Sequence, residues 1–161
     1  MTGPSGRPHE GQVREFNRAM AGLVKRYQFR DRNETVAYGL SVSQAYALRA
    51  LAERGPLAMG ELAEELRLSV SAATRVVDPL VTRRLVRRAS GRDDRRVRVA
   101  TLTSAGQRLW GRLEGELLEI DRRILAGLSA GEREVVLRVI DALGRETDAW
   151  RSAQHSGGRA R

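Results

Sequence analysis

The sequence of 161 residues contains no cysteine and only two histidines. The absence of cysteine excludes disulfides, metal sites built on thiolates and switches based on thiol oxidation. His9 and His155 lie near opposite ends of the chain and show none of the spacings that zinc enzymes or histidine-dependent catalytic triads use. We therefore expect a protein with no metal site and no other cofactor.

Long apolar runs are also absent. No stretch approaches the roughly 20 apolar residues that a membrane-spanning helix needs. Residues 1–12 lack the apolar core of a secretory signal peptide. These absences predict a cytoplasmic protein without a membrane partner.

Arginine is the residue that the sequence has in excess. Its 29 basic residues outnumber its 20 acidic residues, which gives a net charge of +9, and Lys25 is the only lysine. Part of this bias is typical of a GC-rich genome, and an arginine cluster is usually a solvated face. The densest cluster is different, because between Arg83 and Arg98 eight arginines and two aspartates directly follow a predicted helix. Such a density of fixed positive charge favours a polyanion, and we predict that the partner is double-stranded DNA.

The helix before this cluster has one apolar and one polar face. Ser69 is a good N-cap, and the apolar residues after it recur at the i, i+3, i+4, i+7 spacing of a buried face: Ala73, Val76, Val77 and Leu80. The opposite face carries Ser71, Thr74 and Arg75. Hydroxyl groups and one guanidinium on an exposed helix face are suited to reading DNA bases.

The segments around that helix complete a winged helix-turn-helix. A short helix at residues 59–66 precedes it after a brief turn, and strand-like runs at 85–89 and 97–102 follow it. Leu57 is a candidate for a short strand that pairs with the wing. We predict a winged helix-turn-helix DNA-binding domain at residues 41–103.

Amphipathic helices flank this domain on both sides. Apolar residues recur with a seven-residue repeat from residue 12 to about residue 30, and every three or four residues along 104–128. A further helix follows Ser129, which forms an S-x-x-E capping box with Glu132. A small DNA-binding domain cannot cover so much apolar surface, so these helices are predicted to pack on a second copy of the chain.

The predicted fold is mainly α, with a small β-wing. Residues 12–40 and 104–152 are assigned to dimerisation helices that come from both ends of the chain. Residues 1–11 are predicted to form a disordered arm, and residues 153–161 a flexible basic tail.

Two motifs stand out in the central region. The first is L-S-x-S-x-x-T-R-x-V-D-x-L at residues 68–80, with L-V-x-R at residues 85–88. The second and more specific motif is D-D-R-R at residues 93–96, followed at a fixed distance by L-T-x-x-G at residues 102–106. With these motifs the sequence resembles the MarR family of bacterial transcriptional regulators, and the resemblance covers about residues 43–117. It implies a homodimer that binds a pseudo-palindromic operator, usually as a repressor, and that a small aromatic ligand often releases.

The predicted DNA-binding residues lie on the polar helix face and in the wing: Ser69, Ser71, Thr74, Arg75, Arg92, Asp94, Arg95 and Arg96. Arg75 is the candidate for a guanine or phosphate contact in the major groove. Strand alternation puts Asp94 and Arg96 on one face, where they can brace the hairpin as the corresponding pair does in the family. Arg92 and Arg95 are then left to enter the minor groove.

The resemblance also implies a ligand pocket between the dimerisation helices and the DNA-binding domain. Tyr46, Met59 and Trp110 lie near the position of the family's pocket, and Trp110 could stack on an aromatic ring. The alternative is that all three are ordinary core residues.

Two residues depart from the family's pattern. Pro79 stands inside the predicted recognition helix, where it removes a hydrogen bond and crowds the carbonyl of Arg75. We expect a bend there, with the helix continuing through Leu80, and the alternative is a helix that ends at Val77. Arg84 stands where a glycine normally ends this helix, so the C-terminal cap is predicted to be either absent or strained.

Two other classes of function are compatible with parts of the sequence. A sequence-tolerant architectural DNA-binding protein would also use an arginine-rich wing. An enzyme would need a catalytic constellation, and the carboxylate pairs at 93–94 and at Glu114 and Glu116 are flanked by arginine or lie on an expected solvated face. We therefore predict a DNA-binding regulator that is not an enzyme.

Overall fold

The computed structural model describes residues 6–91 and 97–157. The helices in these ranges are α1 (Glu10–Ala37), α2 (Val42–Arg54), α3 (Met59–Glu65), α4 (Val70–Thr82), α5 (Ser104–Ala126) and α6 (Ala130–Gly157). The strands are β1 (Leu57–Ala58), β2 (Val86–Ser90) and β3 (Arg98–Leu102). The predicted fold class, mainly α with a small β-wing, is confirmed.

The chain divides into two units, Met1–Leu117 and Leu118–Arg161. The first unit contains α1 to α4, the three strands and the N-terminal part of α5. Its core lies between α2, α3, α4, the sheet and α5, and the fully buried large side chains include Leu48, Leu62, Leu80 and Leu113. The second unit contains the end of α5 and α6.

The first and last helices extend into segments that were assigned to the arm and the tail. The α1 helix begins at Glu10, because the His9 side chain accepts a hydrogen bond from the Gln12 N–H (3.3 Å) and Gln12 Oε1 accepts one from the His9 N–H (3.3 Å). This reciprocal capping box starts the helix inside the range predicted as a disordered arm. The α6 helix continues through Gly157, inside the range predicted as a flexible tail.

The wing is a three-stranded antiparallel sheet with the order β1-β3-β2. Leu57 pairs with Ala100, which confirms its predicted role as a short pairing strand. At the end of the hairpin where β2 connects to β3, the Gly91 N–H donates to the Val97 carbonyl (2.8 Å). The strands place Val86 and Ala100 in the core, so one face of the sheet anchors the wing to the domain.

The α4 helix, which the sequence predicts to be the recognition helix, passes through Pro79 and ends at Thr82, so the alternative of an end at Val77 is wrong. Leu80, one residue after the proline, is fully buried and shows that the apolar face of the helix continues past it. Buried residues of α4 therefore lie on both sides of the proline, with Ala73 and Val77 before it and Leu80 after it.

Arg84 forms the cap that a glycine normally provides, and its backbone is strained. Its φ angle is +57°, in the left-handed region. The Arg84 N–H donates to the Val81 carbonyl (2.9 Å), and the Leu85 N–H donates to the Leu80 carbonyl (2.9 Å). These two bonds are the Schellman motif, which satisfies the last carbonyls of the helix. A side chain in this conformation costs roughly 1–2 kcal/mol, and burial of Leu85 holds the turn in place.

The L-T-x-x-G motif joins the wing to α5. The Thr103 hydroxyl donates to the Arg84 carbonyl (2.7 Å) and accepts from the Gly106 N–H (3.1 Å), so it also caps α5. The Thr103 N–H donates to the Leu85 carbonyl (3.0 Å). Gly106 lies directly against this carbonyl, and a Cβ atom there would approach Leu85 O to 2.1 Å. The glycine is therefore required by the close approach of α5 to the start of the wing.

Candidate nucleic-acid interface

The N-terminal end of α4 presents two hydroxyl groups side by side. Ser69 caps the helix, since its Oγ accepts a hydrogen bond from the Ala72 N–H (3.2 Å). The hydroxyl of Ser71 lies 3.1 Å from that of Ser69, and both residues are exposed. A helix N-terminus with free N–H groups and hydroxyls attracts phosphate groups. The sequence-predicted residues Ser69 and Ser71 thus form one polar patch.

The exposed face of α4 carries the other two residues that the sequence singled out on this helix. Arg75 is exposed, and Thr74 is half-buried with its hydroxyl donating to the Val70 carbonyl (2.9 Å). Val70 was not predicted as a site residue, yet 53% of it is exposed beside this face. An apolar side chain at such a position can contact a thymine methyl group. Its signal in the sequence was its place directly after the N-cap, outside the buried spacing.

An ion pair fixes the wing to the recognition helix. Arg88 of β2 donates a hydrogen bond to the carboxylate of Asp78 on α4. Both groups are partly exposed, at 28% for the arginine side chain and 51% for the aspartate side chain. Both residues belong to the motifs at residues 68–80 and 85–88, and neither was predicted to have a role in binding. The pair connects the two elements that would approach DNA together.

The predicted wing-tip residues Arg92, Asp94, Arg95 and Arg96 lie outside the described residues, and so does the predicted brace between Asp94 and Arg96. The described stem of the wing carries a further exposed arginine, Arg98, whose Nη1 lies 3.4 Å from the Ser90 hydroxyl. Arg98 was counted in the arginine cluster but was not predicted as a site residue, since the sequence does not show which arginines of the strands are exposed.

The charge of the arginine cluster is only partly directed outward. Arg83 donates from Nη1 to the Gly39 carbonyl (2.6 Å) and from Nη2 to the Tyr38 carbonyl (3.0 Å). Arg88 is paired with Asp78. Two of the eight arginines counted between Arg83 and Arg98 therefore hold the domain together, and the count overstated the charge that faces a ligand.

The comparisons with known proteins agree with this geometry. A model of the MarR family matches residues 38–96, which contain α2 to α4 and the first part of the wing. The helix-turn-helix transcriptional regulator YxaD of Bacillus subtilis, itself uncharacterized, is 31% identical over 113 residues, which cover 70% of this chain and 79% of YxaD. The chain belongs to the MarR family.

Solved structures show the same fold over most of the chain. A MarR family protein from Bacillus stearothermophilus superposes with a TM-score of 0.79 at 27% identity, covering 88% of this chain and 99% of that protein. BpsR of Bordetella bronchiseptica, whose DNA binding is regulated by 6-hydroxynicotinic acid, superposes with a TM-score of 0.62 at 20% identity, covering 78% of this chain and 98% of BpsR. At that identity BpsR supports the fold alone.

As a MarR family member, the protein is a DNA-binding transcriptional regulator and not an enzyme. Of the carboxylate pairs considered for catalysis, Glu116 accepts a hydrogen bond from the Tyr38 hydroxyl (2.6 Å). The hydrogen bond to Glu116 is the main reason that the pKa of Tyr38 is raised, with desolvation second.

No helix within residues 6–91 and 97–157 has the length and apolar character needed to cross a membrane.

The three residues predicted near the MarR ligand pocket do not share one of the described cavities. Met59 and Trp110 belong to the core, with 7% and 6% of their surfaces exposed. Trp110 also borders a groove of about 330 Å³ between α2, the sheet and α5. Tyr46 borders a separate groove of about 400 Å³ and donates to Asp31 Oδ2 (3.0 Å). Burial, and then this hydrogen bond, raises the pKa of Tyr46.

Proposed function

We propose that this regulator binds a pseudo-palindromic operator as a homodimer and represses the genes that the operator controls. The observation that carries the proposal is the exposed face of α4, where Ser69, Ser71 and Arg75 stand on a helix anchored by fully buried residues. Side chains on a rigidly held helix can read base edges, whereas binding to any sequence needs only positive charge.

Apolar side chains without a partner support the homodimer. Along α1 the large apolar residues with more than a third of their surface exposed are Val13, Phe16, Leu23, Val24, Tyr27, Phe29 and Val36. Along α6 the corresponding residues are Val135, Leu137, Val139, Ile140 and Trp150. A second copy of the chain related by a two-fold axis would cover both faces. Two-fold symmetry then requires half-sites whose centres lie one helical turn, about 34 Å, apart.

The dimer is tested by placing a charge on α6. Val139→Glu is the better variant, because 47% of Val139 is exposed while Leu117 packs against the core, where a charge would unfold the domain. Arg138→Gln changes the net charge by the same amount at the neighbouring exposed position and is the matched control. We expect Val139→Glu to sediment as a monomer and lose operator binding, while the control stays dimeric. A stable, folded wild-type monomer at micromolar concentration would contradict the proposal.

Base reading is tested at Arg75. Arg75→Ala should cost about 1–3 kcal/mol of operator affinity and relax the preference at one base pair. Arg87→Ala is the control, because it removes an exposed arginine that lies on β2 and not on α4. It also leaves the neighbouring Arg88–Asp78 ion pair in place. An equal loss on all DNA sequences after Arg75→Ala would reduce Arg75 to a phosphate contact.

The architectural function is the second candidate, supported by the arginine-rich wing alone. The two functions differ in the ratio of affinities for the operator and for random DNA, measured at one salt concentration. A ratio near one would favour the architectural protein.

We also propose that a small aromatic ligand releases the DNA, as 6-hydroxynicotinic acid regulates the DNA binding of BpsR. The groove beside Trp110 is the candidate site, because a ring entering it would meet the indole and the apolar side chains of Leu51 and Leu102. Trp150→Phe leaves Trp110 as the only tryptophan. A ligand that weakens operator binding should then quench the fluorescence of this variant. Release without any change in Trp110 fluorescence would place the site elsewhere.

A further inference from the structure

The C-terminal ends of α1 and α4 are joined by one side chain. Arg83 is the C-cap residue of α4, and Tyr38 is the C-cap residue of α1. The two Nη atoms of Arg83 donate to the carbonyls of Tyr38 (3.0 Å) and Gly39 (2.6 Å). One guanidinium thus satisfies two backbone carbonyls that follow the last turn of α1.

This arrangement has an electrostatic reason. The last carbonyls of a helix carry a partial negative charge. Arg83 places a positive charge at the C-terminal end of α1, and its planar fork fits the two adjacent carbonyls there. Both helices are followed by a left-handed residue, Gly39 with φ +64° and Arg84 with φ +57°. The guanidinium contacts the turn after α1, and the backbone bonds of Arg84 and Leu85 hold the turn after α4.

The same turn is connected to α5. The Tyr38 hydroxyl donates to Glu116 Oε1 (2.6 Å). Tyr38 therefore links Glu116 to Arg83, through its hydroxyl on one side and its backbone carbonyl on the other, and this link lies wholly within the unit Met1–Leu117. It connects the helix α5 with the C-cap residue of α4.

We propose that Arg83 is a positioning residue, which sets the orientation of the recognition helix relative to the α1–α2 junction and transmits displacements of α1 and α5 to it. Arg83 does this without touching DNA, since its guanidinium is engaged by Tyr38 and Gly39. The inference rests on the proposed operator binding. It differs from a DNA contact in a measurable way, because phosphate contacts add to the salt dependence of binding and internal contacts do not.

The first test compares Arg83→Gln with Arg108→Gln. Arg108 is an exposed arginine of α5, and its side chain makes no hydrogen bond or ion pair within the described part of the chain. Arg83→Gln should lower operator affinity by about tenfold, leave the slope of log affinity against log salt unchanged, and keep the wild-type circular dichroism. Arg108→Gln should leave affinity unchanged within about twofold. Arg83→Lys should restore only part of the affinity, because an ammonium group lacks the planar fork.

The second test is a double-mutant cycle with Tyr38→Phe, which removes the bond to Glu116 and keeps the carbonyl that Arg83 contacts. Tyr38→Phe should weaken operator binding less than Arg83→Gln, and the two losses should not add. The proposal is overturned by an unchanged affinity in Arg83→Gln, by a decrease of about one in the salt slope per site, or by additive losses. If Arg83→Gln does not fold, Arg83→Lys takes its place in the affinity and salt-slope measurements and in the double-mutant cycle with Tyr38→Phe. The same three results would then overturn the proposal. Absence of operator binding by the wild type would instead refute the proposed function.

Discussion

Substitution of Gly106 by alanine should damage both the stability and the DNA binding of the domain. The added Cβ would lie 2.1 Å from the Leu85 carbonyl oxygen and 3.0 Å from its carbon, where ordinary contacts begin at 3.4 Å. One of the two backbones must therefore shift by more than 1 Å, roughly the shortfall from normal contact. Thr103 ties the same Leu85 carbonyl to α5 by a hydrogen bond, so the shift would also strain that bond.

The expected loss follows from three contributions. Overpacking of this kind typically costs about 1–3 kcal/mol. Weakening the Thr103–Leu85 hydrogen bond costs about 1 kcal/mol. The better helix propensity of alanine returns up to ~1 kcal/mol, and less than that in the first turn. We expect a net loss of about 2–3 kcal/mol, which lowers the melting temperature by roughly 4–12 °C for a chain of this size.

Thermal unfolding at a fixed protein concentration measures this loss, because the proposed dimer would make the melting temperature depend on concentration. Gly111→Ala is the matched control, since a Cβ at Gly111 of the same helix has no heavy atom within 4 Å. The control should be stabilised by up to about 1 kcal/mol. If Gly106→Ala melted at or above the wild-type temperature, the close approach between α5 and Leu85 would be refuted as the reason for this glycine.

Three further predictions concern the ends of the helices and the wing. Asp78→Ala should weaken operator binding even though it removes a negative charge, because Arg88 loses the partner that ties the wing to α4. Tighter binding in a filter assay would refute this role of the ion pair. The loss of stability should stay below about 1 kcal/mol for so exposed a pair. Arg84→Gly should raise the free energy of unfolding by about 0.5–1 kcal/mol in denaturant titration, because it removes the left-handed strain at φ +57°. Hydrogen bonds from the Ser129 hydroxyl and, second, from its backbone N–H hold the pKa of the Glu132 carboxyl below its ordinary value. Their contribution to the stability of the fold is therefore fully present above about pH 4.3, and it is lost as the pH falls through the pKa of Glu132 in the folded protein. Ser129→Ala should return that pKa toward normal in an NMR titration, and an unchanged pKa would refute the cause.

The helices and the wing could be predicted because their signals are local. Ser69 and Ser129 stand directly before apolar repeats, and both cap the helices expected of them. The strand at Leu57 followed from its position before the helix-turn-helix, and it pairs with β3 as expected. Periodicity and caps act over three or four residues, so a single sequence contains the whole signal.

The contacts that hold the interface could not be predicted in the same way. The Asp78–Arg88 pair joins residues ten positions apart on different elements, and the contacts of Arg83 cross 44 and 45 positions. Charge pattern alone does not reveal which arginines of a cluster are engaged by groups of the same chain, and this is why Arg83 and Arg88 were counted as free charge. The conformation of Arg84 was left open for the same reason, because a buried side chain after it decides the turn.

Selection of bound duplexes from a random pool, followed by affinity measurements at one salt concentration, tests the central claim most directly. A two-fold symmetric dimer that reads bases through α4 predicts two inverted half-sites with centres about 34 Å apart. The selected duplex should bind about a thousandfold more tightly than random DNA, or better. Recovery of a single unrepeated motif, or of no enriched sequence at all, would contradict the account.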